Sequence, residues 1–228
     1  MPEETNVEET ANLGTVSGGL SNVQIEDQTL LRRMLSGDEE AFAALFRRHQ
    51  QEVYRFALHM CGSHAVAEDV TQEVFLILMK SGDRYDPARA SVRSFLYGIA
   101  RNCVKRHRER GGRYVPIGEG VAGAKDNPYN PASASGNPFS ALSQSEQIAS
   151  VRQAVLSLPV PYREAVVLCE LQELSYAEAA AAAGCSVGTI RSRLHRARAI
   201  LVKKLEGDQV RSLIRGIPEK TAPKRCPA

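Results

Sequence analysis

The sequence lacks the marks of secreted, disulfide-bonded and membrane-spanning proteins. Its N-terminus has neither the basic segment nor the apolar core of a signal peptide, and no stretch approaches the roughly 20 apolar residues of a transmembrane helix. The five cysteines are odd in number, scattered and without a C-x-x-C pair, which is typical of free thiols in a reducing compartment. We therefore expect a cytoplasmic protein without membrane insertion.

Catalytic and metal-binding motifs are also missing. The chain contains no G-x-x-x-x-G-K-S/T, G-x-S-x-G or H-E-x-x-H sequence. His59, Cys61 and His64 could bring at most two metal ligands together, and no fourth ligand is evident. We expect a protein that is not an enzyme and that uses no cofactor and no metal.

Charge is unevenly distributed along the chain. Residues 1–30 contain no Lys or Arg, whereas residues 191–204 contain no Asp or Glu and residues 101–113 are also strongly basic. The formal net charge is only +3, so it is the segregation of charge that predicts electrostatic steering toward nucleic acid.

Two helices separated by a glycine turn are predicted between Ser175 and Leu205. Ser175 and Glu178 have the spacing of a capping box, and Gly184 interrupts the alanine run that follows, as expected where a helix ends at positive φ. The next helix carries apolar residues at 3-4-3-4 spacing: Val187, Ile190, Leu194, Ala197 and Leu201. Basic side chains lie off this stripe, so the pattern predicts a helix-turn-helix whose second helix fits the major groove of DNA.

Amphipathic helices are also predicted from Thr29 to Arg110, so the expected fold class is all-α. Two small helical domains would be joined by a flexible linker, the C-terminal domain being the helix-turn-helix. The linker is rich in Gly, Pro, Ser, Ala and Asn. The predicted boundaries are a disordered tail at 1–25, an N-terminal domain at 26–110, the linker at 111–144, a C-terminal domain at 145–206 and a C-terminal tail at 207–228.

Three segments resemble one family. The segment from Leu158 to Leu201, LPVPYREAVVLCELQELSYAEAAAAAGCSVGTIRSRLHRARAIL, closely resembles the −35-reading domain of bacterial extracytoplasmic-function (ECF) sigma factors, with VGTIRSRLHRAR as its most specific part. AEDVTQEVFLILMK resembles the segment with which these factors grip the clamp helices of RNA polymerase. RYDPARASVRSFLYGIARNCVKRHRERGGR resembles their −10 reader. In one departure, Ala179 and Ala183 replace larger aliphatic residues, which predicts a thinner core under that helix.

The resemblance implies a set of DNA contacts on the second helix of the motif. Arginine can donate two hydrogen bonds to guanine in the major groove. We assign base contacts to the side chains that face outward over two turns, which are Arg191, Ser192, His195 and Arg196. Phosphate contacts are assigned to the flanking residues Thr189, Arg193 and Arg198.

The −10 reader and the polymerase-binding segment supply the remaining candidates. A loop pocket and neighbouring cations suit the capture of one extruded base and its strand, which predicts −10 contacts from Tyr85, Asp86, Arg89, Ser91, Arg101, Asn102, Lys105 and Arg106. A face of carboxylates and amides suits a basic partner helix, which predicts polymerase contacts from Glu68, Asp69, Gln72 and Glu73.

The resemblance implies a promoter-directing sigma factor. Its partners would be core RNA polymerase, promoter DNA in duplex and single-stranded form, and an anti-sigma factor that masks these surfaces. The alternative is an operator-binding helix-turn-helix regulator. That alternative leaves the polar face at 68–73 and the basic cluster at 101–113 without a role.

Overall fold

The computed structural model describes residues 18–111 and 148–215, and the side chains of residues 23–110 and 148–206. Within these ranges every regular element is helical, which confirms the all-α prediction. The N-terminal group contains α1 (Gly18–Leu35), α2 (Glu39–Cys61), α3 (His64–Ser81) and α4 (Val92–Gly111), with a 3₁₀ turn at Gly82–Arg84. Apart from Gly111, the predicted linker lies outside the described residues, as do residues 1–17 and 216–228.

Short polar residues set the ends of the N-terminal helices. Asp38 begins α2 by accepting a hydrogen bond from the backbone N–H of Ala41 at 3.1 Å, and Ser63 caps α3. Gly62, at φ 75°, ends α2 in the left-handed conformation that glycine adopts without a Cβ penalty. The turn between α2 and α3 is therefore only two residues long, and it holds the two helices side by side.

The first helix starts earlier than the sequence indicated. Residues 18–25, predicted to belong to a disordered tail, form the first turns of α1. The second half of α1 is anchored by buried Leu31 and Met34. Once that half is formed, each added residue gains a backbone hydrogen bond without a new nucleation cost, so the helix extends into the polar segment.

The second group contains the predicted helix-turn-helix. Its elements are α5 (residues 148–156), α6 (Val160–Val166) with a π-helical turn at Val167–Leu171, α7 (Tyr176–Ala183) and α8 (Val187–Arg215). The capping box of Ser175 and Glu178 is present, and Gly184 ends α7 at φ 62°. Ile190, Leu194 and Ala197 are buried, so the apolar stripe fixes which face of α8 looks outward.

The two groups of helices pack against each other through α4 and α7. The approach is close at Gly98, where a Cβ would be in van der Waals contact with the carbonyl oxygen of Ala182 at 3.5 Å. Ala179 and Ala183, expected to leave a thin core, are buried. Because α7 contacts α4 as well as α8, the N-terminal group covers the side of α7 that short side chains would otherwise leave open.

Candidate nucleic-acid and polymerase interfaces

The outward face of α8 carries most of the predicted −35 residues. Five of the seven are exposed: Arg191, Ser192, His195, Arg196 and Arg198. The Arg191 guanidinium lies over the ring of Tyr176, with 5.6 Å between its central carbon and the ring centroid. Arg198 forms an ion pair with Glu170. This face presents hydrogen-bond donors to solvent from a rigid, packed helix, as major-groove recognition requires.

The other two predicted −35 residues are half-buried. Thr189 lies at the start of α8, where its backbone N–H donates to the Ser186 hydroxyl at 3.2 Å, so it belongs to the helix cap. Arg193 turns inward, with its Nη1 atom 3.9 Å from an oxygen of buried Glu164. To make the predicted phosphate contact, the Arg193 side chain would have to move away from Glu164.

The loop at 86–91 is held in shape by its own side chains. Asp86 accepts a hydrogen bond from the backbone N–H of Ala88 at 2.9 Å, and Ser91 caps α4 by accepting one from Ser94 at 3.2 Å. Arg89 projects into solvent. Tyr85 is half-buried against Phe95, with ring centroids 5.5 Å apart, so its ring contributes to packing beneath the loop.

The basic end of α4 has both exposed and half-buried polar side chains. Asn102 and Lys105 are exposed, and Lys105 lies 3.9 Å from Glu109 on the same helix. Arg106 pairs with Glu73 at 3.1 Å, and Arg101 forms an ion pair with Glu164 of α6. The predicted −10 residues therefore lie along one loop and one helix, with two of the arginines bound to carboxylates of other helices.

The predicted polymerase-binding face on α3 is continuous with an apolar patch. Glu68, Asp69 and Gln72 are exposed, and Glu73 is half-buried beside Arg106 and His107. One and two turns further along, Leu76 and Met79 are 55% and 53% exposed. The sequence prediction missed these two residues, although they fall outside the apolar stripe of α3 and share the 3-4-3 spacing that begins at Asp69 and Gln72.

Other classes of site are absent from the part of the chain that the structure describes. In that part, no three His, Cys, Asp or Glu side chains lie close enough together to bind a metal ion. No helix there is both long enough and apolar enough to cross a membrane. Cys61, Cys103, Cys169 and Cys185 are free thiols.

Comparison with known proteins matches both groups of helices to one family. The model of sigma-70 region 2 matches residues 45–114, and the model of sigma-70 region 4 matches residues 148–201. The chain is 36% identical to the ECF sigma factor SigC of Mycobacterium tuberculosis over 174 residues, which are 76% of this chain and 88% of SigC. It is 34% identical to the ECF sigma-E factor of Escherichia coli over 185 residues, which are 80% of this chain and 96% of that protein.

One further relative matches over less of its own length. The ECF sigma factor SigE of Mycolicibacterium smegmatis is 36% identical over 170 residues, and the match spans 62% of SigE.

Solved structures of sigma factors have the same fold. CnrH, determined in complex with the cytosolic domain of CnrY, superposes with a TM-score of 0.60 at 26% identity, over 80% of this chain and 99% of CnrH. RpoE of Bartonella quintana, determined with the anti-sigma factor NepR, gives a TM-score of 0.54 at 25% identity, over 72% of this chain and 96% of RpoE. With regions 2 and 4 both present in the order of the family, the chain is an ECF sigma factor, a transcription initiation factor and not an enzyme.

Proposed function

We propose that this sigma factor contacts core RNA polymerase and promoter DNA through three separate surfaces. The exposed face of α3 binds core polymerase, α8 reads the −35 duplex, and the loop at 86–91 with the basic end of α4 holds the melted −10 element. The domains at 26–110 and 145–206 carry these surfaces, and the linker at 111–144 sets their separation. The chemistry of transcription stays with the polymerase.

The observation that carries the −35 assignment is the division of α8 into two faces. Ile190 and Leu194 are buried, whereas Arg191, His195 and Arg196 are exposed on the opposite side. An α-helix fits the major groove, and arginine discriminates guanine through its O6 and N7 acceptors. An exposed helix face with these side chains can distinguish base pairs, and its role is not limited to neutralising DNA phosphates.

The −10 assignment is supported by the combination of a structured loop and exposed cations. Arg89 stands at the loop and Lys105 at the basic end of α4, and both are exposed; Lys105 has only a long, exposed ion pair with Glu109, at 3.9 Å. Extruding a base costs a few kcal/mol, and cations along the strand recover part of that cost by neutralising phosphates. Because Tyr85 packs on Phe95, base capture depends on the loop's polar groups more than on stacking with Tyr85.

Polymerase docking is supported by the mixed character of the α3 face. The carboxylate of Asp69 and the amide of Gln72 adjoin exposed Leu76 and Met79. Charged groups steer association and fix register, and a few well-packed side chains at the centre of a contact supply most of its affinity. The two kinds of residue together suit a stable protein contact.

A protein partner that masks these surfaces is supported by the similar structures. CnrH was solved with the cytosolic domain of CnrY, and RpoE with the anti-sigma factor NepR. We propose that this chain also binds an anti-sigma factor. Because RNA polymerase and chromosomal DNA are cytoplasmic in bacteria, we propose that the protein acts in the cytoplasm.

Reconstitution with core polymerase tests the proposal. Purified chain added to core enzyme should start transcripts at defined promoters, and an operator-binding regulator could not replace the sigma subunit in this way. Arg191→Ala and Arg196→Ala should each cost ~1–3 kcal/mol at one −35 position and relax specificity there. Arg152→Ala, an exposed arginine of α5, is the matched control and should leave promoter choice unchanged. Unaltered −35 discrimination in both recognition-helix variants would contradict the assignment of α8.

A further inference from the structure

We infer that His49, Asp27 and Glu52 form a clasp operated by a proton. While His49 is protonated, the clasp holds α1 on the other helices of the N-terminal group, and when His49 loses its proton that hold weakens. Because α1 supports the turn that leads into the loop at 86–91, the same proton also sets how firmly that loop is seated. This last step rests on the proposed function, which assigns the loop to the −10 element.

His49 lies between two carboxylates in the interior of the N-terminal group. It belongs to α2 and is 4% exposed. Its Nε2 atom lies 2.9 Å from an oxygen of Asp27 on α1, and its Nδ1 atom lies 3.5 Å from an oxygen of Glu52 on α2. An ionised carboxylate only accepts hydrogen bonds. Both ring nitrogens must therefore carry a proton to meet both carboxylates, and only the imidazolium cation has both protons.

The electrostatics of the clasp favour this cation. Burial opposes the ionisation of Asp27 and Glu52, but their contacts with His49 and with neighbouring arginines outweigh burial and lower the pKa of both carboxyls. Burial alone would also lower the pKa of His49, and the two carboxylates outweigh it and raise that pKa. The carboxylates thus stay ionised near neutral pH and retain the proton on the ring between them.

Loss of that proton leaves one carboxylate without its donor. A neutral imidazole has a single N–H. If the proton stays on Nε2, the lone pair of Nδ1 faces Glu52, and in the described part of the chain no other group hydrogen-bonds to this buried atom. If the proton moves to Nδ1, a lone pair faces Asp27 instead. Either neutral form sets a lone pair against a carboxylate in a buried site, where an unsatisfied polar group is costly.

The other charged side chains that border the clasp are Arg48 of α2, Glu26 of α1 and Arg93 of α4. Arg48 pairs with Asp27 at 2.6 Å, and Arg93 pairs with Glu52 at 3.0 Å. Arginine does not lose its proton in proteins, so His49 is the member of this cluster whose charge changes near neutral pH. Because Arg48 still binds Asp27 after the histidine is neutral, α1 loosens without being released.

The helix held by the clasp supports the start of the −10 loop. A Cβ built at Gly82 would lie 3.5 Å from the side chain of Leu31 on α1, so the turn at Gly82–Arg84 packs directly on that helix. Burial raises the pKa of Tyr85, and the nearby negative charges of Asp27 and Asp86 add to the rise. Asp27 therefore lies close both to His49 and to the residue that precedes the loop.

The sign of the pH dependence follows from the raised pKa of His49. The docked state of α1 binds the proton more tightly than a state in which α1 has moved away. The hold on α1 is then complete below about pH 6.5, the ordinary histidine value, and is lost as the pH rises through the pKa of the docked state.

Hydrogen exchange of the full-length chain, followed by mass spectrometry at about pH 6 and about pH 8.5, tests the clasp. Exchange is compared with the intrinsic rate at each pH, so that only protection is measured. Protection of residues 26–35 should fall about tenfold between the two pH values if docking raises the pKa of His49 by one, and residues 84–91 should lose protection with it. Peptides from α8 serve as the internal control.

Three variants complete the test. His49→Gln removes the titrating group, and Glu52→Gln keeps His49 but removes the carboxylate that faces Nδ1, so both should flatten the pH dependence at residues 26–35. His195→Gln, at an exposed histidine of α8, should follow the wild type in the exchange of α1. Circular dichroism shows that each variant is folded.

Two outcomes would overturn the clasp. One is protection of α1 that does not change with pH in the wild type, and the other is a wild-type pH dependence in both clasp variants. Loss of protection at residues 26–35 with none at 84–91 would overturn the link to the loop. Failure of the proposed function is seen separately, as normal −10 discrimination by loop variants in transcription with core polymerase, and it would leave the exchange results unchanged.

Discussion

Tyr176 supports Arg191 from below: the guanidinium carbon lies 5.6 Å from the centroid of the ring. Tyr176 is the first residue of α7, directly after the N-cap Ser175, and Arg191 is one turn into α8. The first helix of the motif thereby restrains a side chain that we assign to base reading on the second. A restrained guanidinium loses less conformational entropy when it binds DNA.

The first prediction concerns this stacking contact. Tyr176→Ala should weaken discrimination at the base pair read by Arg191 by about two- to fivefold, because an exposed cation–π contact is worth ~0.5–1 kcal/mol. Tyr176→Phe keeps the ring and should retain discrimination. Binding to −35 duplexes mutated one position at a time measures the effect. A uniform loss across all positions in Tyr176→Ala would indicate a phosphate contact instead.

The second prediction concerns polymerase docking. Asp69→Lys should weaken holoenzyme assembly with little change in thermal stability, because Asp69 is exposed. Glu73→Lys should weaken assembly and also lower stability, because it places a cation beside Arg106 and His107. Titration of core polymerase, together with thermal unfolding, separates the two effects. Lys80→Glu, at an exposed position near the end of α3, serves as a charge-reversal control. Normal core binding by a folded Asp69→Lys variant would refute the docking face.

The third prediction concerns strand opening. Lys105→Ala combined with Arg106→Ala should slow open-complex formation on duplex promoters, with a smaller effect on a premelted template. The loss should grow as salt is lowered from physiological values, because the phosphate contacts being removed are strongest there. Arg55→Ala, an exposed arginine of α2, is the control. Equal losses on duplex and premelted templates would point to general phosphate binding.

The fourth prediction concerns a buried histidine between α1 and α2. Burial alone would lower the pKa of His49, but its hydrogen bond to Asp27 and the attraction of Glu52 outweigh burial and raise it. The folded state therefore binds the proton more tightly than the unfolded state. The resulting stabilisation is complete below about pH 6.5, the ordinary histidine value, and is lost as the pH rises through the folded pKa.

Urea unfolding of the wild type and of His49→Gln at several pH values checks this sign. The difference in the free energy of unfolding should be largest in mildly acidic solution and should shrink as the pH rises toward alkaline values. A difference that is independent of pH would show that His49 contributes through packing and not through its charge.

The sequence predicted the features that depend on local patterns. The capping box of Ser175 and Glu178, the glycine turn at Gly184 and the apolar stripe of α8 each arise from neighbours within a few residues, so spacing alone identifies them. The exposure of most recognition-helix side chains follows from that stripe. For the polymerase-binding and −10 segments, the candidate residues came from the family resemblance.

What the sequence did not predict depends on contacts between distant residues. Glu164 stands in a helix where a polar residue usually faces water, and only the approach of α4 and α8 buries it. Arg193 points inward for the same reason. Its position along α8 would allow the side chain to face either solvent or the neighbouring helix, and the contact with Glu164 decides between them. The early start of α1 was missed because residues 18–25 carry no apolar periodicity of their own.

The pairing of Glu73 with Arg106 and His107 constrains how this chain can change over evolutionary time. Position 73 belongs to the face that we propose for polymerase binding, while position 106 belongs to the helix that we propose for binding the −10 strand. A lineage that alters the charge at one of them inherits an unmatched partner at the other. Substitutions that adapt the chain to a different polymerase and substitutions that adapt it to a different promoter are therefore coupled through this pair. We expect positions 73 and 106 to vary together in related sequences.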